Sequence, residues 1–280
     1  MKLKDKVAII TGGSKGVGKA IAMTFAKEDA CVTIASRTNT ELIKIEEEIE
    51  RTYPHKVLTV VADISKPLDA KRIVKLTTER FGKINILVNN AAIQNPIGPF
   101  IDNDMGEWIK TININLIGTV RMIKLCLPYM ISQRSGKIIN LSGGGAVSSR
   151  PNFSAYGTSK AAIVRFTETL AEELRIYNID VNSIAPGAVN TKMTEEIVKN
   201  KNKAGIQEYI LAKKQLAEGG ADPQLVASLA LFLASEESNG LSGRLISAVW
   251  DDWQNLGSKI KSVMKTDAFT VRRIKEDEVK

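Results

Sequence analysis

The chain has 280 residues, 44% hydrophobic and 25% charged, the balance of a soluble globular protein able to bury a core. Its formal charge is +8, yet the basic residues are scattered and aromatics make up only 5%, which argues against a nucleic-acid partner. The first residues run into a strand without a signal-like apolar region, and no uninterrupted apolar stretch nears the ~20 residues of a membrane span, so a cytoplasmic protein is expected.

In chain order, the first strand is Val7–Ile10, followed by Thr11-Gly12-Gly13-Ser14-Lys15-Gly16-Val17-Gly18 and a helix over Lys19–Lys27. Strand Cys31–Ala35, helix Thr40–Arg51, strand Val57–Ala62, helix Pro67–Phe81 and strand Ile84–Val88 come next. A long helical segment, Trp108–Arg134, is expected to be broken once. Strand Lys137–Leu141 leads to helix Ala155–Tyr177, where Ile163, Phe166, Leu170 and Leu174 recur at helical spacing. Strands Val181–Ala185 and Arg244–Val249 close the alternation. Several strands are apolar on both faces, as buried parallel strands are. The pattern predicts an α/β fold, a doubly wound parallel sheet, with residues 1–250 as one domain and 251–280 as a C-terminal extension. Lys192–Gly220, with lysines at 192, 199, 201, 203, 213 and 214, stands outside the alternation and suits a lid or a solvated helix face.

Cys31 and Cys126 are far apart in sequence and fit no metal or disulfide framework, and reduced thiols are expected. His55 is the only histidine, which argues against serine–histidine hydrolases and HExxH zinc sites. No metal is expected.

A glycine-rich loop between a strand and a helix exposes backbone N–H groups to a pyrophosphate. After the second strand stand Ser36, Arg37, Thr38 and Asn39, with no acid to accept from ribose hydroxyls. Lys15 and Arg37 instead place two cations where a ribose 2′-phosphate would sit, which favours NADP(H) over NAD(H). In Tyr156-Gly157-Thr158-Ser159-Lys160, the tyrosine and lysine are four apart and share a helix face. An ammonium there would lower the phenol's pKa and suit it to proton exchange with a carbonyl or alcohol.

Together these motifs resemble the short-chain dehydrogenase/reductase family in its TGxxxGxG subgroup, over about Leu3–Val249 and in the family's order. The likeness extends to its 3-oxoacyl-ACP reductase and glucose dehydrogenase kinds. The resemblance implies a Rossmann fold and a homotetramer or homodimer. Gly12, Ser14, Lys15, Gly16, Val17 and Gly18 match its pyrophosphate loop, and Asp63 with Ile64 matches the segment that meets the adenine. Asn90 and Ala91 fall in Asn89-Asn90-Ala91-Ala92, which resembles its NNAG stretch with alanine last. The resemblance gives Asn115 a proton-relay water, Tyr156 and Lys160 the acid–base and ribose-binding roles, and Val189 and Thr191 the nicotinamide carboxamide.

Two departures stand out. The family's substrate-binding serine falls on Gly143 in Asn140-Leu141-Ser142-Gly143-Gly144-Gly145. Either the glycine run turns Ser142 inward, or another donor such as Ser148 or a backbone N–H replaces it, although side-chain alternation counts against Ser142. The C-terminus carries Trp250 and Trp253, suited to a subunit contact, a pocket wall or local packing. The expected activity is hydride transfer between NADP(H) and a small carbonyl or alcohol, with an anionic substrate suggested by the lysine-rich insertion. A cofactor-binding sensor or scaffold of the same fold is the alternative.

Overall fold

Aliphatic runs become strands here because helices cover both of their faces. In the computed structural model, which describes residues 1–274, the strands are β1 (Val7–Thr11), β2 (Cys31–Ser36), β3 (Val57–Val61), β4 (Ile86–Asn89), β5 (Gly136–Leu141), β6 (Ile179–Ala185) and β7 (Leu245–Ser247). All pair in parallel, in the order β3-β2-β1-β4-β5-β6-β7. The order reverses between β1 and β4, and that reversal opens a crevice beyond their carboxyl ends.

The helices are α1 (Gly16–Lys27), α2 (Asn39–Thr52), α3 (Pro67–Phe81), α4 (Met105–Ile112), α5 (Thr119–Gln133), α6 (Ser154–Leu174), α7 (Lys192–Lys199), α8 (Lys201–Ala204), α9 (Ile206–Glu218) and α10 (Pro223–Ala234). One core joins β-strand side chains to α1, α2 and α10 through Ile21, Phe25, Ile45, Leu229 and Leu233. The other joins them to α3, α5 and α6 through Ile73, Met122, Cys126 and Leu170. Burial pushes the Cys126 thiol up to about 12, so it is an inert core residue.

Several boundaries differ from the sequence reading. The fourth strand starts at Ile86 because the Asn85 side chain accepts from the Val7 N–H at 2.9 Å. The last ends at Ser247, where Asp251 accepts from the Ser247 N–H at 2.7 Å and turns the chain. The long helix begins at Met105, capped by Asp104, which accepts from the Glu107 N–H at 2.9 Å. Its irregularity is a wide π-helical turn, Asn113–Gly118, while Pro128 sits inside α5. The helical run Met105–Gln133 is apolar over much of its length, but Glu107, Lys110, Arg121 and Lys124 interrupt it, in keeping with the sequence reading. Its 29 residues include an 18-residue stretch of mean hydropathy 1.3, long and apolar enough to cross a bilayer, but Met122, Ile123, Cys126 and Met130 bury one side of the run in the core.

The extension packs onto the same body as far as it is described. Trp253 lies against Phe232, ring centroids 6.2 Å apart, and Leu256 is buried beside it. The Leu245 N–H donates to Phe269 O at 2.8 Å, so the tail covers the outer edge of β7. Arg244 donates to Ala268 O at 2.8 Å and Val263 O at 3.3 Å. The tail then reaches α6, where Glu168 accepts from the Val271 N–H at 2.9 Å and from Arg272 at 2.7 Å. Trp250, by contrast, is 77% exposed. Residues 275–280 of the extension lie outside the described residues.

Candidate active site

The glycine loop closes on itself tightly. Gly12 has φ +64°, and a Cβ added at Gly18 would stand 2.4 Å from the Gly12 carbonyl oxygen and 2.5 Å from Asn90 Nδ2. No larger residue fits there without moving the loop. Asn90 fixes the turn by donating to Thr11 O at 3.1 Å and Gly12 O at 3.0 Å, and the Ala91 N–H donates to Thr11 Oγ1 at 3.2 Å. The α1 N-terminus has no side-chain cap and no acid in its first turn, an arrangement that receives an anion. Gly16 opens the helix, and Val17 is buried beneath it. Thr191 comes from the other side of the crevice: its methyl lies 3.6 Å from where a Gly16 Cβ would stand. Val189, buried beside it, pairs with Ala221. These residues fit a dinucleotide.

At the ribose end the structure adds a residue that the sequence reading passed over. Glu41, in the first turn of α2, accepts from Lys15 Nζ at 3.0 Å and from Ser14 Oγ at 3.1 Å. Ser14 Oγ also lies 2.9 Å from Ser36 Oγ, and with its own proton given to Glu41 it accepts from that hydroxyl. Thus an acid does reach the end of β2, from five residues further along the chain, and Lys15 is ion-paired. Arg37 is exposed. Partial burial raises the Asp63 pKa, but hydrogen bonds from the Ser65 hydroxyl and N–H, with the Arg37 charge, outweigh it and hold the carboxyl below its usual range. Ile64 is buried against Gly118, where an added Cβ would meet its side chain at 2.8 Å.

A buried polar chain sets α6 against the sheet. Asn89 Nδ2 donates to Asn140 Oδ1 at 2.9 Å, Asn140 Nδ2 to Thr167 Oγ1 at 2.9 Å, and Thr167 and Ser183 hydroxyls bond at 2.8 Å. Asn115, on the π-helical turn, donates to Ile93 O at 2.8 Å and to Ser159 Oγ at 3.0 Å, and accepts from the Ile93 N–H at 2.9 Å. Ser159 in turn donates to Tyr156 O at 2.7 Å. The Asn115 side chain therefore braces the helix that carries Tyr156.

Tyr156 and Lys160 do share the inner face of α6, and both are buried. Lys160 Nζ donates to Leu141 O at 2.7 Å and lies 5.6 Å from the Tyr156 ring centroid. Burial pulls its ammonium down to about 8, near enough to neutral pH for proton exchange. The phenol departs from expectation. Burial raises its pKa, and the charge that opposes the rise is that of Arg150, whose guanidinium is 5.8 Å from the ring centroid.

Position 143 faces the phenol. A Cβ added at Gly143 would lie 2.2 Å from the Tyr156 hydroxyl, so the tyrosine tip occupies the room of the absent side chain. Ser142 is 3% exposed, its N–H donates to Ile184 O at 2.8 Å, and its hydroxyl has no hydrogen-bond partner among the described residues. Ser148 is exposed. Across the site, Arg150 stacks on Phe153 at 3.9 Å and donates twice to Glu208 of α9, at 3.0 and 2.8 Å. Asn152 adds a bond to Ala204 O at 3.0 Å. The helices of the insertion are thus tied to the segment just before Tyr156, whereas the lysines at 192, 199, 201, 203, 213 and 214 are all exposed. Neither Arg150 nor Glu208 carries a sequence signal, because a charged pair so far apart in the chain is visible only in the fold.

Comparison with known proteins gives a consistent match. The short chain dehydrogenase family model matches residues 6–202. The 3-oxoacyl-[acyl-carrier-protein] reductase FabG of Thermotoga maritima is 35% identical over 246 residues, covering 88% of this chain and 97% of that protein. Oxidoreductase UcpA of Escherichia coli is 37% identical over 251 residues, covering 86% of this chain and 92% of its own. Among solved structures, NAD+-bound xylitol dehydrogenase superposes with a TM-score of 0.81 at 28% identity, over 88% of this chain and 98% of the other.

Proposed function

Because the chain belongs to the short chain dehydrogenase family and is an oxidoreductase of CH–OH and C=O groups, we propose that it works with NADP(H) and uses Tyr156 as its acid–base group. The observation that carries this reading is the Tyr156 hydroxyl over Gly143, four residues before Lys160 and braced through Ser159 by Asn115. The glycine loop from Gly12 to Gly18, with Asn90, Ala91, Val189 and Thr191, holds the dinucleotide, and Asp63 and Ile64 border its adenine. Lys15 and Arg37 hold the 2′-phosphate. When bound, the nicotinamide supplies or accepts the hydride. Tyr156 gives its hydroxyl proton to the carbonyl oxygen in reduction and takes one from the alcohol in oxidation. Lys160 restores that proton through its own exchange near neutral pH and holds the nicotinamide ribose.

Ser142 is the remaining candidate for a second donor to the substrate oxygen. Its unpartnered hydroxyl supports that role, while the aim of position 143 at the phenol counts against it. The substrate is a small carbonyl or alcohol, and the exposed lysines of the insertion favour one carrying negative charge. Free Cys31 and Cys126 suit a cytoplasmic setting. The exposed Ile101, Met105 and Ile109 support a homodimer or homotetramer, and a monomeric mass in light scattering would remove that part of the reading.

Consumption of NADPH against a panel of carbonyl compounds tests the whole. Tyr156→Phe should lower turnover by about 10²–10⁴ and leave NADPH affinity intact, since the ring still packs and only the transferable proton is lost. Near-normal turnover in that variant would end the assignment. The second reading, a cofactor-binding sensor without turnover, draws on Gly143. It predicts NADPH binding with no consumption across the panel.

A further inference from the structure

The ribose end of the crevice contains a carboxylate that its fold does not require. Glu41 sits in the first turn of α2, where an acid favours the helix dipole, but that role is met without the side chain leaving the helix. Instead it reaches back to the glycine loop, with one oxygen 3.0 Å from Lys15 Nζ and the other 3.1 Å from Ser14 Oγ. The same Ser14 hydroxyl bonds Ser36 at the end of β2. Partial burial raises the Glu41 pKa, but the Lys15 and Ser14 hydrogen bonds and the charges of Lys15 and Lys192 prevail and lower it. The group is therefore an anion at neutral pH, and Lys15 is already neutralised by it.

We propose that Glu41 is a cofactor-discriminating residue that competes with a ribose 2′-phosphate for Lys15 and accepts from a ribose 2′-hydroxyl. The proposal rests on Lys15 and Arg37 as the phosphate-binding cations. A dianionic phosphate arriving beside Lys15 meets a fixed negative charge and must take over a cation that another group holds. A nucleotide with a plain ribose meets an acceptor instead. Glu41 thus narrows the preference that the two cations create, and the chain binds both cofactors more evenly than a Lys–Arg pair alone would allow.

The test uses binding alone, on the full chain without substrate. Affinities for NADPH, NADH, 2′,5′-ADP and 5′-AMP are measured by titration calorimetry for the native protein, Glu41→Gln and Glu41→Ala. Removing the charge should tighten NADPH and 2′,5′-ADP by about three- to thirty-fold, while NADH and 5′-AMP bind no better than before. The gain should shrink as salt is raised. Far-UV circular dichroism confirms the fold of each variant, and a variant that does not fold is replaced by the other for the comparison. Equal changes for phosphorylated and plain nucleotides, or no change in either, would overturn the role of Glu41. A native protein that binds all four nucleotides equally, with Glu41→Gln still raising only the phosphorylated pair, would leave Glu41 standing and count against NADP(H) preference. Failure of the native protein to bind any of them would overturn both readings together.

Discussion

At the scale of single residues, Gly143 and Tyr156 form a matched pair. The tyrosine tip fills volume that a side chain at 143 would need, with the built Cβ 2.2 Å from the hydroxyl and 3.0 Å from Cζ. Restoring a serine there would displace the phenol before it could offer a donor. Gly143→Ala already carries the offending carbon, so it should lower stability by about 1–3 kcal/mol through overpacking and reduce turnover by at least tenfold. Urea unfolding and steady-state kinetics read the two effects. Unchanged stability in the alanine variant would mean that the phenol moves aside freely. Counting back from Tyr156 leads to position 143, which lies beside the phenol, because backbone spacing between motifs is local information. What the sequence does not carry is where a long side chain ends. Glu41 was therefore missed as the acid beside Lys15, and so was the proximity of Arg150 to the phenol.

At the scale of elements, the strands and the helix Pro67–Phe81 were legible because their apolar periodicity is set by what covers them. One break in the long helix was legible, but not that it is the π-helical turn Asn113–Gly118, since wider winding changes hydrogen-bond pairing without a residue signature. The insertion after β6 was readable as an addition but not as helices α7 to α9 clasped to the segment that leads into Tyr156. That clasp has a central tie: the two Arg150–Glu208 bonds, whose side chains are only 17% and 25% exposed. Hydrogen bonds to charged groups contribute about 1.5–3 kcal/mol, so Glu208→Gln should raise the locally open population of α8 and α9 by roughly ten-fold or more. Hydrogen exchange over residues 201–218 should quicken while the sheet stays protected. Equal protection in native and variant proteins would show that these helices are held by something other than this pair.

At the scale of the molecule, two cores share one sheet, and the C-terminal extension completes the one beneath α1 and α10. Ending the chain at Trp250 would strip Trp253 from Phe232 and leave Arg244, only 6% exposed, without its carbonyl acceptors at Val263 and Ala268. Removing a buried tryptophan side chain alone costs about 3–5 kcal/mol, which for a domain of this size lowers Tm by about 6–20 °C. Differential scanning calorimetry of the shortened chain checks this. An unshifted Tm would show that the extension is only laid on the surface.

The covering of β7 also has a consequence in time. Phe269 shields the strand edge, and Arg272 fastens the tail to Glu168, a partner 104 positions earlier. At about 5–20 residues per second, the stretch from Ser247 to Arg272 takes roughly one to five seconds to synthesise. A chain that stops within that stretch leaves β7 without its cover, and its unpaired groups can join another chain. The clasp that protects the finished protein is made after the strand it covers, so a chain interrupted before Phe269 would present the β7 edge bare.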